Sequence, residues 1–255
     1  SCCRQVIMPA GKFYTADYTG ETVSHNVSWK NRNDPNSMVW VEKTIFNNDH
    51  NKIAHVIGNS TSRKGFDLNL LTGQFGGQDG VQSVGQTYGC NLLYKDFSPT
   101  FLVCINKIIC SEIAKSGYTE DNIVYSNIKN ITQNQGHFHL YPQLFTANTG
   151  SLALRLACAD GHKKIYMIGM TTYNMPEDNI YFSSHNEYKK ANVEGANNKF
   201  ISDCTKIFLT YNDVEFFYVA KDPGLMPEEY NWYPNVKEIT YNQYYSLASL
   251  GAIAR

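Results

Sequence analysis

The sequence predicts an α/β fold: a doubly wound, mostly parallel sheet with an N-terminal antiparallel β appendage. Three observations carry this. From Ile53 onward, short apolar runs alternate with runs of helical period. The apolar runs, such as Ile53–Ile57 and Phe101–Ile105, are nearly continuous, as strands covered on both faces require. Residues 1–50 instead alternate apolar and polar positions and are broken by Gly20 and by Asn31-Arg32-Asn33-Asp34-Pro35, a hairpin pattern. The expected division is therefore 1–50 as a β-rich appendage and 51–255 as a Rossmann-like nucleotide-binding domain.

Composition narrows the function classes. A formal net charge of -1 gives no electrostatic reason to bind nucleic acid. No run of eighteen apolar residues predicts a membrane span, and SCCRQVIMPAGKF lacks the apolar core of a secretory signal. Seven cysteines without framework spacing read as reduced, packed thiols, which points to a cytoplasmic setting.

Taken in order, Ile53–Ile57 reads as a buried strand that stops at Gly58. Gly58-Asn59-Ser60-Thr61-Ser62 is then a tight polar turn, with a helix expected from Phe66. A glycine there allows close backbone approach to a ligand. The hydroxyls, with the amides of the coming helix, would cradle an anion. The Gly/Gln-rich stretch Thr72–Gly85 reads as a mobile or ligand-gating loop. Strands follow at Gln86–Asn91 and Phe101–Asn106, then a helix through Glu112–Ala114 ended by Gly117. Further strands are expected at Asn122–Ser126 and His137–Tyr141. Thr149-Gly150 opens a buried helix over Ser151–Ala159, ended by Asp160-Gly161. Lys163–Gly169 is a strand, Thr171–Asn198 a polar loop, Phe200–Tyr211 a helix, Val214–Ala220 the last sheet strand and Asn242–Leu250 a closing helix.

Ligands of open α/β sheets bind beyond the C-terminal strand ends. There this sequence places Gly58–Ser62, Cys90-Asn91, Asn106, Asn148–Ser151 and Gly169–Tyr173: amides, hydroxyls and glycines, with few carboxylates. Amides can read a base or ribose, and helix N-termini with tyrosine hydroxyls can hold phosphate without a metal. The plain alternative is that asparagine ends strands because it tolerates turns.

These segments resemble bacterial CMP-sialic-acid-dependent sialyltransferases and their uncharacterised phage relatives. Gly58–Ser62 is similar to that family's G-N-G-P-S loop, and Cys90-Asn91-Leu92-Leu93-Tyr94 to its C-N-x-x-Y segment. Asn148-Thr149-Gly150 and Gly161–Gly169 resemble its T-S-G helix and the strand that follows. The resemblance implies a metal-independent transferase with no tightly bound cofactor, using a CMP-sugar as co-substrate and a glycan or other acceptor. It implies nucleotide binding by Gly58, Asn59, Ser60, Ser62, Asn91, Thr149 and Gly150, with Tyr173 and Tyr181 on the leaving phosphate. The sequence departs from the family at Ser60-Thr61, at Gly169-Met170-Thr171 (where an acid is usual), and at Asn197-Asn198-Lys199, where the general-base histidine belongs. His185 is the base that the sequence offers.

A reading of another class stays open: a non-catalytic phage structural or host-interaction protein that keeps the fold. In it, residues 1–50 would make a homo-oligomer or virion contact. The sequence alone leaves enzyme and scaffold undecided. His137 and His139 could form half a metal site but lack a third ligand, and no Asp-x-Asp pair occurs.

Overall fold

In the computed structural model, residues 53–71, 85–141, 147–172, 174–189 and 194–249 are described in full. The backbone alone is described for Lys190, for Val193 and for four N-terminal strands. The Cys2-Cys3 pair, nearly all of the Thr72–Gly85 loop, and Tyr173 lie outside the described residues.

In chain order the strands are β1 (Arg4–Ile7), β2 (Lys12–Tyr18), β3 (His25–Asn31), β4 (Asp34–Glu42), β5 (Ile53–Ile57), β6 (Gln86–Cys90) and β7 (Phe101–Val103). After β7 come helices α1 (Lys107–Lys115) and α2 (Tyr118–Asp121), strand β8 (Ile123–Ser126), helix α3 (Ile128–Gln133) and strand β9 (His139–Leu140). The chain continues through α4 (Thr149–Ala159), β10 (Lys164–Ile168), α5 (Val193–Thr210), β11 (Glu215–Ala220), β12 (Val236–Thr240) and α6 (Tyr241–Ser249). The fold is α/β and Rossmann-like, mostly parallel, with the expected antiparallel N-terminal strands.

The chain forms two compact units. One comprises 1–49 and 103–145. It contains the antiparallel sheet β1-β2-β3-β4 and the parallel pair β8–β9 with α1 to α3. Asn106 caps α1, its Oδ1 accepting from the amides of Ile108 and Ile109, and Asn127 caps α3 in the same way. Asn106 is thus a helix cap. His137 Nδ1 pairs with the Thr119 hydroxyl at 2.8 Å, and among the described residues no group of three or more His, Cys, Asp or Glu side chains gathers around a metal-sized space.

The second unit, 50–102 and 146–255, holds the sheet order β12-β11-β10-β5-β6-β7. Pairing from β12 through β6 is parallel throughout. Side-chain alternation divides the faces. Val56 and Tyr88 are paired in register, and the Tyr88 hydroxyl donates to Asp160 at the end of α4. His55 points the other way, stacks on Tyr166 at 5.1 Å and meets the Tyr244 hydroxyl of α6 at 2.8 Å. Helix α4 is buried on nearly every face because Leu152, Leu154, Leu156 and their alanine neighbours dominate it, with Arg155 half-buried among them. Asn148 caps its start, and Gly161, at φ +90°, ends it. Five described cysteines are free and buried.

Three expectations are corrected. Among the described residues 58–71 no α-helix forms: Thr61–Arg63 and Leu68–Leu71 are 3-10 turns, and Phe66 packs against Tyr241, Tyr244 and Tyr245. Val214–Ala220 does not close the sheet, since β12 pairs outside β11. Helix α5 begins at Val193, so Asn197-Asn198-Lys199 lie within it and not ahead of it.

Two buried groups set opposite pH dependences. Burial, with His162 nearby adding to it, lowers the His55 pKa to about 3. Below pH 6.5 the unfolded chain therefore takes up a proton that the folded chain refuses, and stability falls as pH drops toward 3. Burial raises Asp160 to about 7 against the opposing hydrogen bond from Tyr88. Its ionised form is penalised in the fold above pH 7, and that penalty is relieved as pH falls toward 4. Asp160→Asn is therefore expected to raise the melting temperature at pH 8 by the equivalent of about 1–2 kcal/mol, after allowing for partial exposure. The gain should shrink between pH 7 and pH 4 in thermal melts at stepped pH.

Candidate functional site

Five segments of the second unit meet beyond the C-terminal ends of β5, β6 and β10. Backbone pairing continues past the strand ends, with Gly58 N donating to Ile168 O at 2.8 Å and Ser60 N to Gly169 O at 3.2 Å. A Cβ on Gly58 would sit 2.2 Å from Gly169 O, so no side chain fits. Gly169 itself adopts φ +64°. This close approach turns both chains outward and opens a cavity of about 210 Å³.

Gly58, Asn59, Cys90, Asn91, Asn148, Gly150, Gly169, Met170 and Thr171 line it from the strand ends and the start of α4. Pro176, Asn179 and Tyr188 come from the following loop, and Ala196, Asn197 and Phe200 from α5. Among these described lining residues none is charged.

Two amides define its chemistry. The Asn59 side chain is 4% exposed and donates from Nδ2 to Cys90 O at 3.0 Å, while its Oδ1 is buried without a donor. Asn91 is the one non-glycine residue with positive φ (51°) among the described residues, and its buried Oδ1 also lacks a donor. Asparagine tolerates this conformation at a cost of about 1 kcal/mol. A buried acceptor left unpaired costs roughly 1–3 kcal/mol. Both residues line the cavity, and each keeps beside it an acceptor that no donor in the chain satisfies and that has almost no exposed area of its own. Cys90 is no nucleophile, since burial pushes its thiol up to about 12 despite the cation of Arg63.

The structure brings Gly58, Asn59, Asn91 and Gly150 together here. Thr149 opens α4 beside Gly150 but is not part of the lining. Ser60 Oγ accepts from Ser62 N at 3.2 Å, and Ser62 Oγ pairs with Thr171 Oγ1 at 2.7 Å, so both hydroxyls are engaged within the turn. No α-helix supplies amides to the expected anion cradle between Gly58 and Leu71; the turn ends instead in the short 3-10 turn Thr61–Arg63 capped by Ser60. Tyr181 lies under the turn, 4% exposed, with its hydroxyl between Arg63 and Asp96. Burial and the Asp96 hydrogen bond hold its pKa far above the ordinary phenol value. His185 is outside the lining, its Nδ1 accepting from Glu187 N at 3.3 Å and its ring edge-on to Tyr188. Sequence reasoning missed Asn179, Tyr188 and Phe200 as lining residues.

No protein-family model matches the chain, and no curated protein matches it significantly. Among solved structures, that of the sialyltransferase CstII from Campylobacter jejuni, in complex with the substrate analogue cytidine-5'-monophosphate, is similar. The match has a TM-score of 0.45 and 15% identity, and covers 73% of this chain and 87% of that one.

Glycine positions separate fold from cavity. Gly58→Ala is expected to lower the melting temperature, by the equivalent of about 1–3 kcal/mol, because the methyl meets backbone. A Cβ on Gly150 meets nothing closer than 3.4 Å, so Gly150→Ala should fold normally. Thermal melts of the two variants side by side check both expectations.

Proposed function

We propose that this chain is a glycosyltransferase-like protein that binds a nucleotide sugar, with a CMP-linked sugar favoured and transfer independent of metal. The observation that carries it is the pair of amide oxygens, of Asn59 and Asn91, that no donor in the chain satisfies beside an uncharged cavity at the strand ends. Base amines and ribose hydroxyls are the donors that such acceptors take. The cavity, at about 210 Å³, is smaller than the roughly 300–1,000 Å³ of a drug-sized site, so it would take the nucleoside part of the ligand at most and leave phosphate and sugar outside it. The preference for cytidine rests on the sequence resemblance of the Gly58, Asn91, Gly150 and Gly169 segments. Thr149 and the start of α4 would face the phosphate side, and Tyr173 would serve the leaving group. A glycan or another nucleophile would be the acceptor.

One observation favours a second reading. Among the described lining residues there is no imidazole or carboxylate to take the acceptor's proton. A misplaced base costs a hundredfold or more in rate. The chain would then be a non-catalytic binding or scaffold protein, phage structural or host-interacting, that keeps the fold.

Calorimetric titration with CMP, CDP, UDP, GDP and AMP tests the first reading. CMP is expected to saturate, and Asn59→Ala or Asn91→Ala to weaken it by roughly tenfold each. No heat with any nucleotide at millimolar concentration overturns nucleotide binding. CMP release from a CMP-sugar, lost in His185→Ala, supports transferase chemistry. CMP binding without release supports the second reading.

A further inference from the structure

The cavity's lining does not use the buried guanidinium of Arg63. Its side chain is 6% exposed, yet it caps no helix and borders no described ligand position. Nη2 donates to Asp96 Oδ2 and to the Tyr181 hydroxyl, each at 2.9 Å, and that hydroxyl donates to the same Oδ2 at 2.7 Å. Three side chains thus close a ring on one carboxylate oxygen. The Arg63 stem packs against Gly169, where an added Cβ would lie 2.8 Å from Arg63 Cβ.

Each member of the ring follows shortly after a cavity asparagine. Arg63 ends the turn that begins with Asn59, Asp96 ends the turn that begins with Asn91, and Tyr181 stands just beyond Asn179. Backbone links between these turns are few: Ile180 N donates to Asn59 O at 2.9 Å, and Ser60 bridges Asn179. Only the arginine is enclosed, the Asp96 side chain being 42% exposed, so this ion pair is weak support for stability. Its contribution here is geometric: a planar guanidinium and a rigid phenol fix directions that apolar contacts leave free.

We propose that Arg63, Asp96 and Tyr181 form a clamp that holds the three asparagine-bearing turns in one mutual arrangement, making them positioning residues for whatever the cavity binds. The clamp is independent of the ligand's identity; only its effect on CMP affinity rests on the nucleotide reading. Tyr181, expected from the resemblance to touch the leaving phosphate, acts in this account through the turns.

Amide hydrogen exchange on Tyr181→Phe and Arg63→Lys, run beside CMP titration, tests the clamp. Phenylalanine keeps the buried ring and removes only the hydroxyl, and lysine keeps the charge without the planar fork. The expected result is faster exchange, by about tenfold, at Arg63, Phe97 and Ile180 together in both variants, with α4 amides unchanged. CMP affinity should fall about tenfold in parallel. Acceleration confined to the segment that carries the substitution overturns the clamp, as does unchanged CMP affinity when the wild-type chain binds CMP. If the wild-type chain binds no nucleotide, the nucleotide reading fails, and the exchange pattern alone decides for or against the clamp.

Discussion

The site depends on how closely the ends of β5 and β10 approach each other. Parallel strands normally diverge where their ladder stops. Here the ladder runs on, through Gly58 N to Ile168 O and Ser60 N to Gly169 O, until the two glycine backbones are in contact. Neither position has room for a side chain. That constraint sends the Asn59 turn and the Thr171 segment outward from a common point, and it leaves the start of α4 facing the space between them. The buried face of α4 then fixes this arrangement against β5, β6 and β10.

The lining is uncharged, with asparagine amides set among apolar side chains such as Met170 and Phe200, and that combination has a physical consequence. A cationic cavity would attract any phosphate, whereas amide acceptors discriminate by donor geometry. Leaving Asn59 and Asn91 with unpaired oxygens costs folding energy, and the positive φ of Asn91 adds strain. Such costs persist where the surrounding structure imposes them, and here the imposing elements are the β6 strand end and the turn over Leu92–Lys95.

Much of the architecture was legible in the sequence. Continuous apolar runs marked β5, β7 and β10, and the Asn148–Gly161 stretch marked α4, because burial on both faces leaves a local signature. Asn59 and Asn91 could be read as site residues because each directly follows a buried strand. The same reasoning applied to Asn106 meets a helix cap, and spacing alone does not separate the two outcomes. Asn179 and Tyr188 were not legible, since they sit in a segment without periodicity that is placed by pairing with the Asn59 turn. Phe66 misled because its partners, Tyr241, Tyr244 and Tyr245, lie near the other end of the chain. Strand β12 was hidden by its polar alternation: Glu238 is spent holding the backbone amides of Gly224, Leu225 and Met226.

The most direct measurement is a crystal structure of the chain grown with saturating CMP. The nucleoside is expected between Gly58, Asn91 and Gly150, with a base amine or ribose hydroxyl within hydrogen-bond distance of the Asn59 and Asn91 Oδ1 atoms. Nucleotide bound elsewhere on the chain, or a cavity whose two amide oxygens are satisfied by ordered water at full CMP concentration, would contradict it.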